Sequence, residues 1–300
     1  MEQIKVLKSS SFENAIDIHN VYDFNLKHIF ECGQCFRWNP YDSGYIGIAG
    51  SNPAIVYYEL EQKNVLTIKS SSAEKTADFW INYFDLRRDY SVIKNKLSKI
   101  DKYLKVSIEY GYGIRILNQD PFETLISFIL SANNNIPRIK GCIENLSKSY
   151  GCDTEYNLYS FPTVESLLNV SADEISNCCH AGYRCDYIAK SVKQYYENPI
   201  DVELLKSISL SESENYLRKF SGVGPKVADC ILLFTGAHQD AFPIDVWVKR
   251  VMEILYLKKD SAMKEISECS KNKFGDLSGF AQQYLFYYAR EHLDELINIM

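Results

Sequence analysis

Residues 211–245 read S-E-S-E-N-Y-L-R-K-F-S-G-V-G-P-K-V-A-D-C-I-L-L-F-T-G-A-H-Q-D-A-F-P-I-D. Ser211, followed three positions on by Glu214, has the form of a capping box that opens a helix reaching Phe220. Gly222 and Gly224 then break that helix, because glycine accepts the positive φ that a tight reversal needs. Pro225 suits the first position of a second helix, where a missing N–H costs nothing. On that helix Val227, Ile231 and Phe234 share one stripe, and Lys226 lies one turn before Cys230 on the neighbouring stripe. The pattern over 211–235 is a helix, a Gly-x-Gly hairpin, and a helix with a lysine in its first turn.

Backbone N–H groups at Gly222 and Gly224 lead into a helix N-terminus without intrahelical partners, so they suit a phosphate oxygen. Such a contact is blind to base sequence. The turn is not a nucleotide P-loop, since G-V-G-P-K lacks the four-residue spacer and the Gly-Lys-Ser/Thr ending.

Working outward, the hairpin is joined by P-I-D at 243–245, G-Q-C-F-R-W at 33–38, S-A-N-N-N-I-P-R-I at 131–139 and G-F-A-Q-Q-Y-L-F at 279–286. The hairpin with P-I-D resembles the helix-hairpin-helix (HhH-GPD) DNA glycosylase superfamily, in its lysine-bearing, strand-cleaving branch. The other three stretches resemble the 8-oxoguanine DNA glycosylase/AP lyase family. Together these motifs span most of the chain, from residue 33 to 286. The resemblance implies an α+β protein: an N-terminal antiparallel sheet domain, then a mostly helical two-lobed core with the DNA groove between its lobes. It also implies a monomer acting on double-stranded DNA that contains 8-oxoguanine, without a metal or redox cofactor. A monovalent cation held by hairpin carbonyls is compatible with the resemblance and is left open by the sequence.

The same resemblance assigns roles. Lys226 becomes the nucleophile, an amine that displaces a base from C1′ and collapses to a Schiff base permitting β-elimination. It must then spend time as the free amine, which a helix N-terminus and a partly desolvated cleft both favour. On the hairpin alone, an exposed lysine touching phosphate is the simpler reading. Asp245 is by itself a good N-cap for the helix that follows, and in the family its charge stabilises the cationic sugar as the base leaves. Gln282 and Phe286 share a helix face, which alone reads as one surface and one core residue. In the family they line a pocket for an extruded purine, with Cys230 on the opposite face of the base. Gly33 would offer its carbonyl to the N7 hydrogen that oxidation at C8 creates. Asn133, Arg138, Tyr183 and Arg184 match positions that handle the vacated stack and the widowed cytosine. Without the resemblance, N-N-N reads as a helix-ending turn and G-Y-R as a helix start. Two positions depart from the family's common pattern: Trp247, where histidine is frequent, and Ala289, where aspartate is frequent.

Composition agrees with an intracellular enzyme. The chain has 300 residues, enough for two or three subdomains, and 46% are hydrophobic. It shows no hydrophobic signal region and no apolar run of membrane-spanning length, so the expected place is the cytoplasm, on DNA, or the nucleus of a eukaryote. Its net charge of −6 argues against a general nucleic-acid coat but allows a local basic face. Nine cysteines, an odd number without a regular framework, read as reduced thiols. Cys32-x-x-Cys35 has no second pair to complete a zinc site, and only Cys269 lies beyond Cys230, which excludes a C-terminal four-cysteine iron–sulfur loop.

The β-rich runs 45–50, 54–60 and 65–70, separated by S-N-P and E-Q-K-N turns, predict an antiparallel meander. Helices are predicted at 73–85 and 91–110, then at 121–132, 137–150, 163–169, 172–180, 184–197, 211–220, 225–235, 245–258, 261–273 and 279–297. Gly111 and Gly113 mark a boundary between an N-terminal domain at 1–115 and a helical domain at 116–300. A glycosylase for another damaged base and a non-catalytic DNA-binding protein are the rival readings, which the reaction product separates.

Overall fold

A computed structural model describes residues 3–59 and 64–298. Six strands form one antiparallel sheet in the order β1-β2-β6-β5-β4-β3. They are β1 (Lys5–Lys8), β2 (Ala15–His19), β3 (Trp38–Tyr41), β4 (Gly44–Ala49), β5 (Asn52–Glu59) and β6 (Val65–Lys69). The predicted meander is β4, β5 and β6. Strands β1, β2 and β3 join it without having been predicted, because runs of only four or five residues acquire strand character by pairing. Leu60 and most of the E-Q-K-N turn lie outside the described residues.

Alternation puts Ile16, Ile18, Leu66 and Ile68 on one face of the sheet, where Ile68 pairs with Ile16 on one side and Val56 on the other. Helices α1 (Leu26–Phe30) and α2 (Ala77–Tyr83) cover this face, and Phe24, Phe30, Trp38, Trp80 and Phe84 complete its core. The next two helices, α3 (Tyr90–Leu97) and α4 (Lys102–Tyr110), divide the single helix predicted over 91–110. Asp101 makes the break: its side chain caps the N–H of Leu104 at 2.9 Å and starts α4 anew. Tyr90, Ile93, Leu97, Leu104 and Ile108 of these helices bury themselves in the helical core rather than under the sheet.

The helical core continues with α5 (Pro121–Ser131), α6 (Ile136–Tyr150), α7 (Val164–Leu167), α8 (Ala172–Cys179) and α9 (Arg184–Glu197). It closes with α10 (Val202–Ser207), α11 (Leu210–Leu217), α12 (Pro225–Phe234), α13 (Val246–Val251), α14 (Met263–Phe274) and α15 (Ser278–Asn298). Among the described residues no helix is long and apolar enough to cross a membrane.

Three further predicted helices need correction. The capping box is Ser209 with Glu212, not Ser211 with Glu214: Glu212 N–H donates to Ser209 Oγ at 3.3 Å and Ser209 N–H to the Glu212 carboxylate at 3.0 Å. Starting there brings Leu210 into the helix, where it packs on the core beside the buried Ser213 and Leu217. The helix predicted over 245–258 is α-helical only to Val251 and widens to a π-helical stretch, Met252–Leu257. The last helix is bent at His292, whose φ of −132° leaves the helical range. The hairpin's second helix starts at Pro225 as expected.

Candidate active site

Lys226 stands in the first turn of α12. Its Nζ donates to Ser131 Oγ at 3.0 Å and lies 5.1 Å from the centre of the Phe128 ring. Ser131 in turn donates to the Phe128 carbonyl at 2.8 Å, so its hydroxyl proton is committed and its lone pairs face the lysine. The end of α5 therefore holds the amine in place. Asp245 is the N-cap of α13 and accepts from Val248 N–H at 2.8 Å. Burial pushes its carboxyl above the ordinary aspartate range, while that N–H and the nearby Lys226 pull it back. The Cys230 thiol, fully buried one turn after Lys226, is pushed up to about 12 by burial, with Lys226 again opposing. Lys226, Cys230 and Asp245 thus lie within electrostatic reach of one another.

Gly33 has a φ of +80°, and a Cβ built there would come 3.1 Å from Phe286 Cε1 and 3.9 Å from Ile136 Cδ1. Its backbone therefore rests on the Phe286 ring, bringing together two residues from opposite ends of the chain. Gln34 anchors this loop. Its amide, wholly buried, donates to the carbonyls of Ile29 (2.9 Å) and Arg115 (2.8 Å) and accepts from Leu117 N–H (2.9 Å). One turn before Phe286 on α15, Gln282 is 4% exposed, and its amide oxygen has no hydrogen-bond partner among the described residues. A buried acceptor without a donor costs about 1–3 kcal/mol, which a bound polar ligand can recover. Gln282→Leu is accordingly expected to raise stability by about 1 kcal/mol in urea unfolding and to weaken binding of a polar ligand at this position about tenfold, read by ligand titration.

The N-N-N stretch divides its labour. Asn133 is exposed and held at a φ of +48°; Asn134 donates to the Leu130 carbonyl at the end of α5; Asn135 caps α6. Arg138 is exposed and donates to the His180 carbonyl at 3.0 Å. Tyr183 is 57% exposed, its ring set edge-on to Tyr187. Arg184 departs from expectation: it is 4% exposed, and its guanidinium donates to the carbonyls of Ala132, Asn133 (2.8 Å) and Ala181 (3.0 Å) while stacking 4.6 Å from the Tyr183 ring centre. It braces the loops that display Asn133 and Tyr183 instead of offering a free fork to a base edge. At the hairpin, Gly222 has a φ of +80° and a Cβ there would strike Tyr187 at 2.8 Å. The N–H groups of Gly222 and Gly224 have no partner among the described residues. Of the hairpin carbonyls, those of Lys219 and Ser221 accept from Gln194 and Ser191.

Ala289 is buried, so α15 offers no carboxylate at the position three beyond Phe286, and Trp247 lies half-buried with the Arg250 guanidinium 5.9 Å from its ring centre. A polar cleft of about 840 Å³ lies elsewhere, between Asp85, Arg88, Asn118 and His238. Its charged groups largely satisfy one another, as in the bonds of Arg88 to Asp85 and Gln239. Sequence reasoning missed Ser131, Phe128 and Gln34 as site residues. Ser131 and Gln34 stand inside two of the quoted motifs, but nothing local pairs Ser131 with a lysine 95 positions away.

The hairpin with its lysine, set against a helical core, defines a helix-hairpin-helix base-excision protein. The model of the HhH-GPD superfamily of base excision DNA repair proteins matches residues 126–275, and that of the 8-oxoguanine DNA glycosylase N-terminal domain matches residues 18–125. The chain belongs to the 8-oxoguanine DNA glycosylase family of that superfamily. It is 30% identical over 240 residues to a probable N-glycosylase/DNA lyase of Methanothermobacter thermautotrophicus, covering 72% of this chain and 76% of the relative. It is 30% identical to the N-glycosylase/DNA lyase of Saccharomyces cerevisiae, covering 77% of this chain and 68% of the relative. A crystal structure of the Clostridium acetobutylicum 8-oxoguanine glycosylase/lyase, bound to double-stranded DNA with cytosine opposite 8-oxoguanine, superimposes with a TM-score of 0.88 at 44% identity. That likeness covers 97% of this chain and 99% of the other.

Proposed function

We propose that this protein excises 8-oxoguanine from duplex DNA, opposite cytosine, and then nicks the strand by β-elimination, as a step of base excision repair. The observation that carries this reading is the amine of Lys226, held by Ser131 at the mouth of the hairpin helix and within reach of Asp245. The unpaired N–H groups at Gly222 and Gly224 suit a backbone phosphate. Exposed Asn133, Arg138 and Tyr183 suit the gap that base extrusion leaves and the orphaned cytosine. The extruded base would lie on Phe286, with its edge on Gln282, its other face toward Cys230 and its N7–H on the Gly33 carbonyl.

With the base so held, the neutral Lys226 amine attacks C1′. The glycosidic bond breaks, and its electron pair leaves with the base, which takes up a proton. The Asp245 carboxylate stabilises positive charge on the sugar as that bond lengthens. Loss of the amine proton and opening of the sugar ring give the Schiff base. Removal of a C2′ proton then expels the 3′ phosphate, and water releases the lysine. Two side chains supply nucleophile and charge stabilisation, so the reaction needs no metal or redox cofactor. The protein would act as a monomer on the cell's DNA, in the cytoplasm or, in a eukaryote, the nucleus.

Borohydride trapping tests this reading. A covalent protein–DNA adduct is expected with 8-oxoguanine opposite cytosine, at undiminished yield in excess chelator, and not with undamaged or alkylated duplex. Adduct on the alkylated duplex alone would reassign the substrate. Intact DNA under all conditions would leave a binding protein.

A further inference from the structure

Glycine at position 33 creates a problem that its neighbours solve. A backbone carbonyl can tell 8-oxoguanine from guanine by one proton only if its direction is fixed, since the two bases differ at N7 by a donor against an acceptor. Glycine, with the widest choice of φ and ψ, cannot fix its own carbonyl. The restraint has to come from the flanking peptides, and α15 supplies it. Arg290 Nη1 donates to the Glu31 carbonyl at 2.8 Å, and Gln283 Nε2 donates to the Cys32 carbonyl at 3.3 Å. On the far side, Gln119 Nε2 donates to the Gln34 carbonyl at 2.7 Å. The carbonyls of residues 31, 32 and 34 are thus occupied, and that of Gly33 accepts nothing among the described residues.

Gln283 and Arg290 are two helical turns apart and so lie near one line along α15. Gln283 is 2% exposed, and Arg290 lies 5.9 Å from the centre of the Phe286 ring and 5.7 Å from that of Tyr287. Its one carboxylate partner among the described residues, Glu291, is half-exposed and adjacent in sequence, a pairing worth little. The bond to Glu31 and the packing on Phe286 are therefore what hold the guanidinium.

We propose that Gln283 and Arg290 are positioning residues for base selectivity. By clamping the peptides at 31 and 32 to the helix that carries Gln282 and Phe286, they keep the Gly33 carbonyl free and in fixed register with the pocket. This inference rests on the proposed excision of 8-oxoguanine. No hydrogen bond or ion pair among the described residues joins Gln283 or Arg290 to Lys226 or Asp245, so the clamp serves recognition of the base and leaves the lyase step, which has no base to recognise, untouched.

Single-turnover rates on an 8-oxoguanine:cytosine duplex and on a duplex with a preformed abasic site test it, using Arg290→Met, Arg290→Lys and Gln283→Leu. Base excision is expected to fall at least about tenfold in Arg290→Met and Gln283→Leu, as small misplacements of a recognition group do. Nicking of the abasic duplex should stay within about twofold of wild type, and Arg290→Lys should recover part of the lost excision. Excision unchanged in both variants, or excision and abasic nicking falling in parallel, would overturn the clamp. A wild-type protein that nicks the abasic duplex but leaves 8-oxoguanine in place would instead overturn the substrate reading, and the clamp with it.

Discussion

Lys226→Gln is expected to abolish both base release and strand cleavage, with single-turnover rates down at least about 10³-fold, because removing a covalent nucleophile removes the pathway and not merely a contact. Glutamine is one atom shorter but keeps a polar N–H donor directed at Ser131 Oγ, which the wild-type amine reaches at 3.0 Å. It loses the charge 5.1 Å from the Phe128 ring centre, a small stabilising contact at a half-exposed site. The variant should therefore fold and bind 8-oxoguanine duplex within a few-fold of wild type, on the order of 1 kcal/mol or less. Gel-shift titration beside a glycosylase assay checks both halves. Substantial nicking by this variant would place the nucleophile elsewhere.

Asp245→Asn separates two roles that one carboxylate holds. Asparagine caps a helix about as well as aspartate, so the bond from Val248 N–H survives and α13 keeps its start. The negative charge proposed to face the sugar is lost, and excision is expected to fall roughly 10²–10³-fold, the usual effect of deleting one charge-stabilising group. Asp245→Ala removes the cap as well and should cost about a further 1 kcal/mol of stability. The pH dependence has a definite sign. Because burial raises the Asp245 carboxyl above its ordinary range, activity that needs the carboxylate is present above that raised value and lost as pH falls through it. The acid limb of kcat/KM should thus lie above the ordinary aspartate value of about 3.9, and Asp245→Asn should erase it. The folded protein also loses stability as pH rises through the raised value, since the native carboxyl resists ionisation more than the unfolded one. The asparagine variant should accordingly melt no lower than wild type near neutral pH. An acid limb that persists in it would assign the titration to another group.

Much of the site was legible because its signals are local. A Gly-x-Gly turn, a proline at a helix start and an aspartate ahead of an apolar helix act through bonds a few residues long, and α12 and the Asp245 cap lie where those signals point. The misread capping box has the same origin. Two overlapping Ser-x-x-Glu patterns, at 209 and 211, are locally equivalent, and the earlier one alone brings Leu210 into the helix and onto the core. Strands β1, β2 and β3 were illegible because a strand's partner supplies most of its stability, and that partner lies elsewhere in the chain.

By itself, then, the amino-acid sequence determined the chemical inventory of this protein: which helix carries the amine, which residue can cap and charge its neighbour, and which glycines permit unusual backbone. Tertiary packing decided what each group meets. It set Ser131 and Phe128 against Lys226, rested Gly33 on Phe286, turned Arg184 inward onto the carbonyls of residues 132, 133 and 181, and brought Arg290 and Gln283 onto the peptides beside Gly33. The physical reason is range. Propensity and capping are settled within a turn or two of chain, whereas these pairings exist only once two apolar cores have condensed and fixed the helices and loops that carry them.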